Sequence, residues 1–260
     1  MYFNQYKSLI VQSKPNPMDP DEKIYEKAHD HWSSVASDVD GMLGGFAQLH
    51  GPDIHDSKEF IAALRKKKVL NHDGRVLDCG SGIGRVTKHL LLPLFQTVDM
   101  VDFAESFIEN SRKYLGAEAF GRVGQQFVES LHTFTPKPNT YDCIWVQWVS
   151  GHLSDDHFVD FVRRCVAALK SGGCIVFKDN ITPMANKDWD EVDHSWTRPH
   201  KLMIALFEKA GCEVVLDRKQ MNFPRGMYEV RMFALKPIRD NGADDSNVSK
   251  EISGSDQQEM

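Results

Sequence analysis

Polar and apolar positions alternate between two patterns along the chain. Short continuous apolar runs, bounded by glycine, proline or acidic residues, are followed by longer stretches with an apolar side chain at every third or fourth position. The first pattern reads as a strand buried on both faces and the second as an amphipathic helix. Strands are expected at residues 76–78, 97–102, 126–129, 141–146 and 174–179. Helices are expected at 104–115 and 155–169, the latter stopped by the pair Gly172 and Gly173. A helix over 199–210, closed by Gly211, leads to two last strands at 213–218 and 227–235, which should form a hairpin-like antiparallel edge. Ahead of the first strand, residues 21–35 carry Tyr25, Ala28 and Trp32 on one helical face. A second helix is expected over 57–68, where the basic run Arg65, Lys66, Lys67, Lys68 complements the helix dipole. Between them, residues 39–46 set Gly41, Gly44 and Gly45 beside Met42, Leu43 and Phe46, which reads as a flexible apolar loop. Residues 181–197 show little periodicity.

Strand alternating with helix is the signature of a parallel sheet. The expected fold is α/β: a doubly wound seven-stranded sheet with an antiparallel last strand and an N-terminal helical extension. One domain should span residues 21–237, with residues 21–70 as a helical cap. Residues 1–20, which are polar and carry Pro15, Pro17 and Pro20, and the polar residues 238–260 are expected to lack fixed structure.

At 260 residues and 41% hydrophobic, the chain has ample core for such a fold. A net charge of −6 argues against a general nucleic-acid binder. No run approaches the roughly 18 apolar residues of a membrane helix, so no span is expected. The first residues lack the apolar stretch of a signal peptide. The five cysteines, Cys79, Cys143, Cys165, Cys174 and Cys212, are odd in number and never spaced as a Cys-x-x-Cys pair. They read as buried free thiols of a reducing compartment, with no metal site expected.

Candidate chemistry begins at Leu77-Asp78-Cys79-Gly80-Ser81-Gly82-Ile83-Gly84-Arg85, a strand, a tight loop and the start of a helix. Glycine takes positive φ freely and lets a ligand lie on the backbone. A helix N-terminus then favours an anionic group. The dinucleotide fingerprint spaces its glycines differently and has its acid only downstream. Here an acid precedes the glycines, and Asp102 ends the next strand about 20 residues on, where a carboxylate grips ribose hydroxyls. That combination suits a nucleoside carrying an amino acid, S-adenosylmethionine, better than NAD. The stretch resembles motif I of the class I methyltransferases, whose fold is Rossmann-like.

Ligands of doubly wound sheets sit beyond the carboxyl ends of the strands. Those positions hold Asp102-Phe103-Ala104, Gln147-Trp148-Val149-Ser150-Gly151-His152 and Lys178-Asp179-Asn180, with Asp190 and Asp193 further on. Singly, each has an ordinary explanation as core, turn or solvated surface. Their convergence on one sheet edge points to a site.

A narrower resemblance rests on Trp32 with the run 40–46, the glycine loop 77–85 and the run 98–102. It also takes in 144–148 with Gly151-His152-Leu153, Lys178-Asp179-Asn180, and Asp190-Glu191-Val192-Asp193. From about Lys27 to Lys236 the chain is similar to the protein α-N-terminal methyltransferases of the Xaa-Pro-Lys type. The resemblance implies methylation of a protein's free α-amine and S-adenosyl-L-methionine as cofactor. It implies protein substrates with exposed Xaa-Pro-Lys N-termini as partners, and residence in cytoplasm and nucleus. By it, Gly80, Gly82, Arg85, Asp102, Phe103, Ala104, Leu131, His132 and Gln147 hold the cofactor. Trp32, Leu43, Gly44, Trp148, Asp190 and Tyr228 bind substrate, and Asp193, Asn180 and His152 are catalytic. His31, His132, His194 and the segment 181–189 depart from the family pattern.

The chemistry agrees with these residues. A protein α-amine has a pKa of about 7.7–8.0 against about 10.4 for lysine, so modest base assistance suffices. Asp193 and His152 are placed to take the proton or pass it to water, and which of them is the base stays open. Asn180 and Asp193 orient the nitrogen, Trp32 and Trp148 wall a proline ring, and Asp190 pairs with the lysine ammonium. Two other readings remain open at this point: a methyltransferase of the same fold acting on a small amine or phenol, and a silent cofactor-binding scaffold.

Overall fold

The computed structural model describes residues 21–238; the expectations for residues 1–20 and 239–260 lie outside the described residues. In chain order the helices are α1 (Glu22–Ser34), α2 (Val39–Met42), α3 (His50–Lys66), α4 (Leu92–Leu94), α5 (Glu105–Leu115), α6 (Ala117–Phe120), α7 (Asp155–Ala168) and α8 (His200–Lys209). The strands are β1 (Arg75–Cys79), β2 (Thr97–Asp102), β3 (Val123–Val128), β4 (Tyr141–Gln147), β5 (Leu169–Thr182), β6 (Asp188–Asp190), β7 (Ser195–Pro199), β8 (Cys212–Lys219) and β9 (Glu229–Pro237). No helix among the described residues is long and apolar enough to cross a membrane.

Side-chain alternation explains the layers. Leu77, Cys79, Ile144, Val146, Ile175, Phe177, Phe233 and Leu235 face one way and pack on α7 and α8 through Phe158, Phe161, Val162, Met203 and Phe207. Their neighbours Val76, Cys143, Trp145, Cys174, Val176, Met232 and Ala234 face the other way, onto Phe60, Ile61 and Leu64 of α3. Successive strand residues point to opposite faces, so a sheet covered on both sides needs continuous apolar strands. β4 is buried along its whole length. All five cysteines are buried free thiols.

The strands run β3-β2-β1-β4-β5-β9-β8, parallel except for β9, which is antiparallel to both neighbours. This is the expected seven-stranded doubly wound sheet with one antiparallel strand. β8 and β9 pair antiparallel as the expected hairpin-like edge, and because β9 is also antiparallel to β5, β8 runs parallel to β5. Cys79 pairs with Val101 and with Val146, and Gln147 pairs with Lys178. Gly80, Asp102, Gln147 and Lys178 therefore stand in one row across the carboxyl edge, with Asp179 one residue beyond.

Several local expectations are corrected. α3 begins at His50 rather than Ser57, with Pro52 in its first turn, where a missing N–H costs nothing. Val39–Met42 forms a short helix, capped by Asp38, which accepts from Gly41 N at 2.8 Å. The helix expected after the glycine loop starts at Arg85 and carries a π-type turn, Thr87–Leu91, that leads into α4. β3 starts earlier than expected. α7 ends at Ala168 without help from Gly172 and Gly173, which lie inside the long strand β5. The segment without periodicity holds an antiparallel hairpin, β6 and β7. β7 meets the sheet only through Ile181 with Arg198 and Thr182 with Pro199. Ile181 also pairs with Glu229 of β9, so β7 stands on the β4 side of β5, past the end of β4.

Candidate active site

The glycine loop is pinned from below. Gly80 N and Ser81 N both donate to Val101 O (2.9 and 3.1 Å), Gly82 N to Asp102 Oδ2 (2.8 Å), and Gly84 N to Ser81 O (2.9 Å). These four N–H groups are spent within the fold and hold the loop in place. The three glycines also differ. A Cβ on Gly84 would meet Met100 and Leu115 of the core, one on Gly80 would fall within 2.9 Å of three Val149 carbons, and one on Gly82 would lie 2.4 Å from Met42 Sδ. Gly82 alone faces a flexible neighbour across a cavity.

That cavity is lined by Gly80, Ser81, Gly82, Arg85, Asp102, Phe103, Gln147, Trp148 and Val149, with Trp32, Met42 and His152 above. A second cavity of about 370 Å³ adjoins it at Phe103, Val149 and His152, and is lined further by Tyr25, Ser130, Leu131 and His132. The residues fit S-adenosylmethionine. Ser81 Oγ is buried with no hydrogen-bond partner among the described residues. Asp102 is fixed by Gly82 N and by Ala104 N (2.9 Å) at the place for a ribose. Burial raises Asp102 to about 6, against the pull of those two N–H groups. Asp78, behind the loop, is pushed up to about 7 by burial and receives Thr87 Oγ1 at 2.5 Å. His132 stacks on Tyr25 of α1 with ring centroids 4.3 Å apart.

Behind this cavity lies a buried polar hub. Asp53 of α3, fully buried, takes Arg85 Nη1 on Oδ2 at 2.7 Å. Its Oδ1 takes Gln147 Nε2 at 2.8 Å and Lys178 Nζ at 2.5 Å. Lys178 Nζ also donates to Ser57 Oγ (2.8 Å) and Gln220 Oε1 (2.6 Å). Burial opposes ionisation of Asp53, but Lys178 and Arg85 outweigh it and hold the carboxyl below its ordinary value. Both cations lie against the Trp148 ring, at 5.6 and 5.9 Å from its centroid. Trp148 has φ +52, a left-handed conformation rare for a large side chain, and its N–H is held by Lys178 O at 3.0 Å.

Trp32, Met42, Trp148 and His152 line both the glycine-loop cavity and a third cavity, of about 330 Å³. The third cavity is a channel carrying Leu43, Gly44, Asn180, Asp190, Asp193, Ser195, Trp196 and Phe223. Trp32 Nε1 donates to His152 Nε2 at 3.1 Å, and burial pulls the His152 imidazole below its ordinary pKa. The neutral ring then carries its proton on Nδ1, which is buried without a partner among the described residues. Ser195 Oγ fixes Asp193 Oδ1 at 2.7 Å. Asp190 is exposed and turns the hairpin by accepting Val192 N on Oδ1 (2.7 Å). The channel opens into a wide groove that shares Phe46, Asn180, Asp190, Asp193 and Met227.

The structure thus brings together nearly all of the sequence-predicted residues. The Ala104 side chain packs with Ile83 and Phe107, and its N–H serves the site through Asp102. Tyr228 lines the groove into which the channel opens, with Asn180, Asp190 and Asp193, and bonds Asp188. Sequence reasoning missed Asp53, Met42, Tyr25, Ser81 and Trp196. The solitary Asp53 had no local signal, because its partners lie far along the chain.

Comparison with known proteins agrees with the geometry. The family model of the AdoMet-dependent proline di-methyltransferases matches residues 20–236. The chain is 50% identical over 216 residues to alpha N-terminal protein methyltransferase 1 of Caenorhabditis elegans, covering 83% of this chain and 92% of the relative. It is 41% identical over 220 residues to human N-terminal Xaa-Pro-Lys N-methyltransferase 1, covering 84% and 98%. Among solved structures, a SAM-dependent methyltransferase of Leishmania major superposes with a TM-score of 0.77 at 37% identity, covering 84% of this chain and 85% of that one. With its glycine loop, ribose carboxylate and adjoining channel in place, the chain belongs to the AdoMet-dependent proline di-methyltransferase family.

Proposed function

We propose that the protein methylates the free α-amine of proteins whose N-terminus begins Xaa-Pro-Lys. The observation that carries this reading is the shared wall of Trp32, Met42, Trp148 and His152 between the glycine-loop cavity and a channel holding Asn180 and Asp193. When bound, S-adenosylmethionine supplies a methyl group on its sulfonium. The chain's residues do the rest. Trp32 and Trp148 exclude water and flank a ring at the second position. Asn180 and Asp193 orient the amine. Asp193 is favoured as proton acceptor, because the Nε2 lone pair of His152 is already taken by Trp32. Asp190, at the junction of channel and groove, suits a lysine ammonium at the third position. The human and frog relatives are named for this sequence.

The test offers the protein S-adenosylmethionine with Ser-Pro-Lys peptides, their N-acetylated forms and small amines. Methyl should appear on the peptide α-amine alone. Asp190→Asn should raise KM by about two- to fivefold, the scale of an exposed ion pair, with kcat held. Methylation of acetylated peptides, or of small amines in preference to peptides, would overturn the reading.

A further inference from the structure

The hub at Asp53 has the geometry of a device for aiming. Among the described residues, Arg85 is the one arginine or lysine lining the glycine-loop cavity. With the N–H groups of Gly80, Ser81, Gly82 and Gly84 spent on Val101, Asp102 and Ser81, Arg85 supplies the full positive charge that an anionic group there would meet. A guanidinium recognises a carboxylate only when its fork is held in one orientation. Asp53 supplies the hold: Oδ2 binds Arg85 Nη1, and Oδ1 binds Gln147 Nε2, whose other end takes Trp145 Nε1 at 2.9 Å. One carboxylate on α3 thereby fixes two side chains, one from the helix start after the glycine loop and one from the end of β4. Lys178 balances Asp53 from beneath, and its further partners, Ser57 and Gln220, lead to Asp56, which accepts from Gln220 Nε2 at 2.8 Å and from Met221 N. His50 Nδ1 lies 3.4 Å from the same Arg85 nitrogen.

We infer that Asp53 is a positioning residue of the cofactor site, holding Arg85 and Gln147 so that Arg85 receives the carboxylate of the cofactor's amino-acid part. This rests on the family's cofactor and not on the peptide reading. It separates the two ends of that molecule: Asp102 and the Leu131–His132 cavity serve ribose and base, whereas Asp53 acts only on the amino-acid end.

The experiment compares two ligands by calorimetry, S-adenosylhomocysteine and 5′-methylthioadenosine, which keeps the nucleoside and thioether but lacks the amino acid. Asp53→Asn keeps the shape and removes the charge. It should weaken S-adenosylhomocysteine by about tenfold or more, the size of a charge-assisted hydrogen bond, and leave methylthioadenosine within about twofold of wild type. Should Asp53→Asn fail to fold because Lys178 is left unpaired in the core, the double variant Asp53→Asn with Lys178→Met removes the orphan ammonium, and the same split is expected. Equal losses for both ligands, no loss for either, or unfolding of both variants would overturn the positioning role. A wild-type protein that binds neither ligand would instead refute the cofactor assignment.

Discussion

The cofactor cradle and the peptide channel share a wall but are built by different means. Around the glycine loop, Gly80, Asp102, Gln147 and Arg85 are tied to strand ends or to Asp53 by hydrogen bonds that span distant parts of the chain. Across the wall, Asp190 and Asp193 sit on a hairpin that fixes them with its own neighbours, Val192 N and Ser195 Oγ. The cradle is held globally and the channel locally. Errors in the cradle should therefore spread to folding, whereas errors in the channel should stay with turnover.

The sharpest test of that contrast is Asp193→Asn. It should lower kcat by about 10²–10⁴, the usual yield of a positioned proton acceptor, with S-adenosylhomocysteine affinity and melting temperature unchanged. Steady-state kinetics beside calorimetry read both, and a loss of cofactor binding would break the contrast. Next in size is a pair of glycines with the same backbone hand. Gly80 and Gly44 have φ +68 and +58, but a Cβ on Gly80 would strike Val149, while one on Gly44 meets nothing within 4 Å. Gly80→Ala should cost about 3 kcal/mol of stability, strain added to overpacking. Gly44→Ala should cost about 1 kcal/mol. Equal denaturant midpoints for the two variants would refute the distinction.

The smallest effect is one of pH. Burial raises Asp102 to about 6, so it is ionised above that pH and protonated below it. A ribose donates to the ionised form, and affinity for S-adenosylhomocysteine should fall by about tenfold per pH unit once the pH drops below 6. Asp102→Asn should flatten this profile, leaving any dependence from Asp78, which burial pushes up to about 7. The contribution to folding has the opposite sign: a carboxyl raised in the folded state stabilises most below its ordinary value, and that contribution is lost as pH rises through about 6.

What the sequence made legible follows the same division. Strands β1, β2, β4 and β9 announce themselves because burial on both faces demands unbroken apolar runs. The acid of β2 could be paired with the glycine loop by spacing alone. The hairpin β6–β7 was hidden because it pairs chiefly with itself at the edge of the site, so no core imposed a period on Trp189, Trp196 or their neighbours. The start of α3 was hidden by His50-Gly51-Pro52, which reads locally as a turn. Asp53 was lost with it, since its bond to Lys178 joins residues 125 positions apart, and no window of sequence contains both.

The attachment of that hairpin has an evolutionary side. It joins the sheet through two residue pairs at the tip of β5, with Arg198 anchored to Asp155 and to the carbonyls of Ser150 and Leu153. Residues between Thr182 and Asp188, short of Asp190 and Asp193, can be lengthened, shortened or exchanged without shifting the register of any strand that carries the cradle. Insertions are best tolerated where little backbone pairing crosses their ends. The stretch 181–189, which departs from the family pattern, lies largely within that span. It is a graft point, through which a lineage can change the proteins it marks while inheriting its methyl chemistry intact.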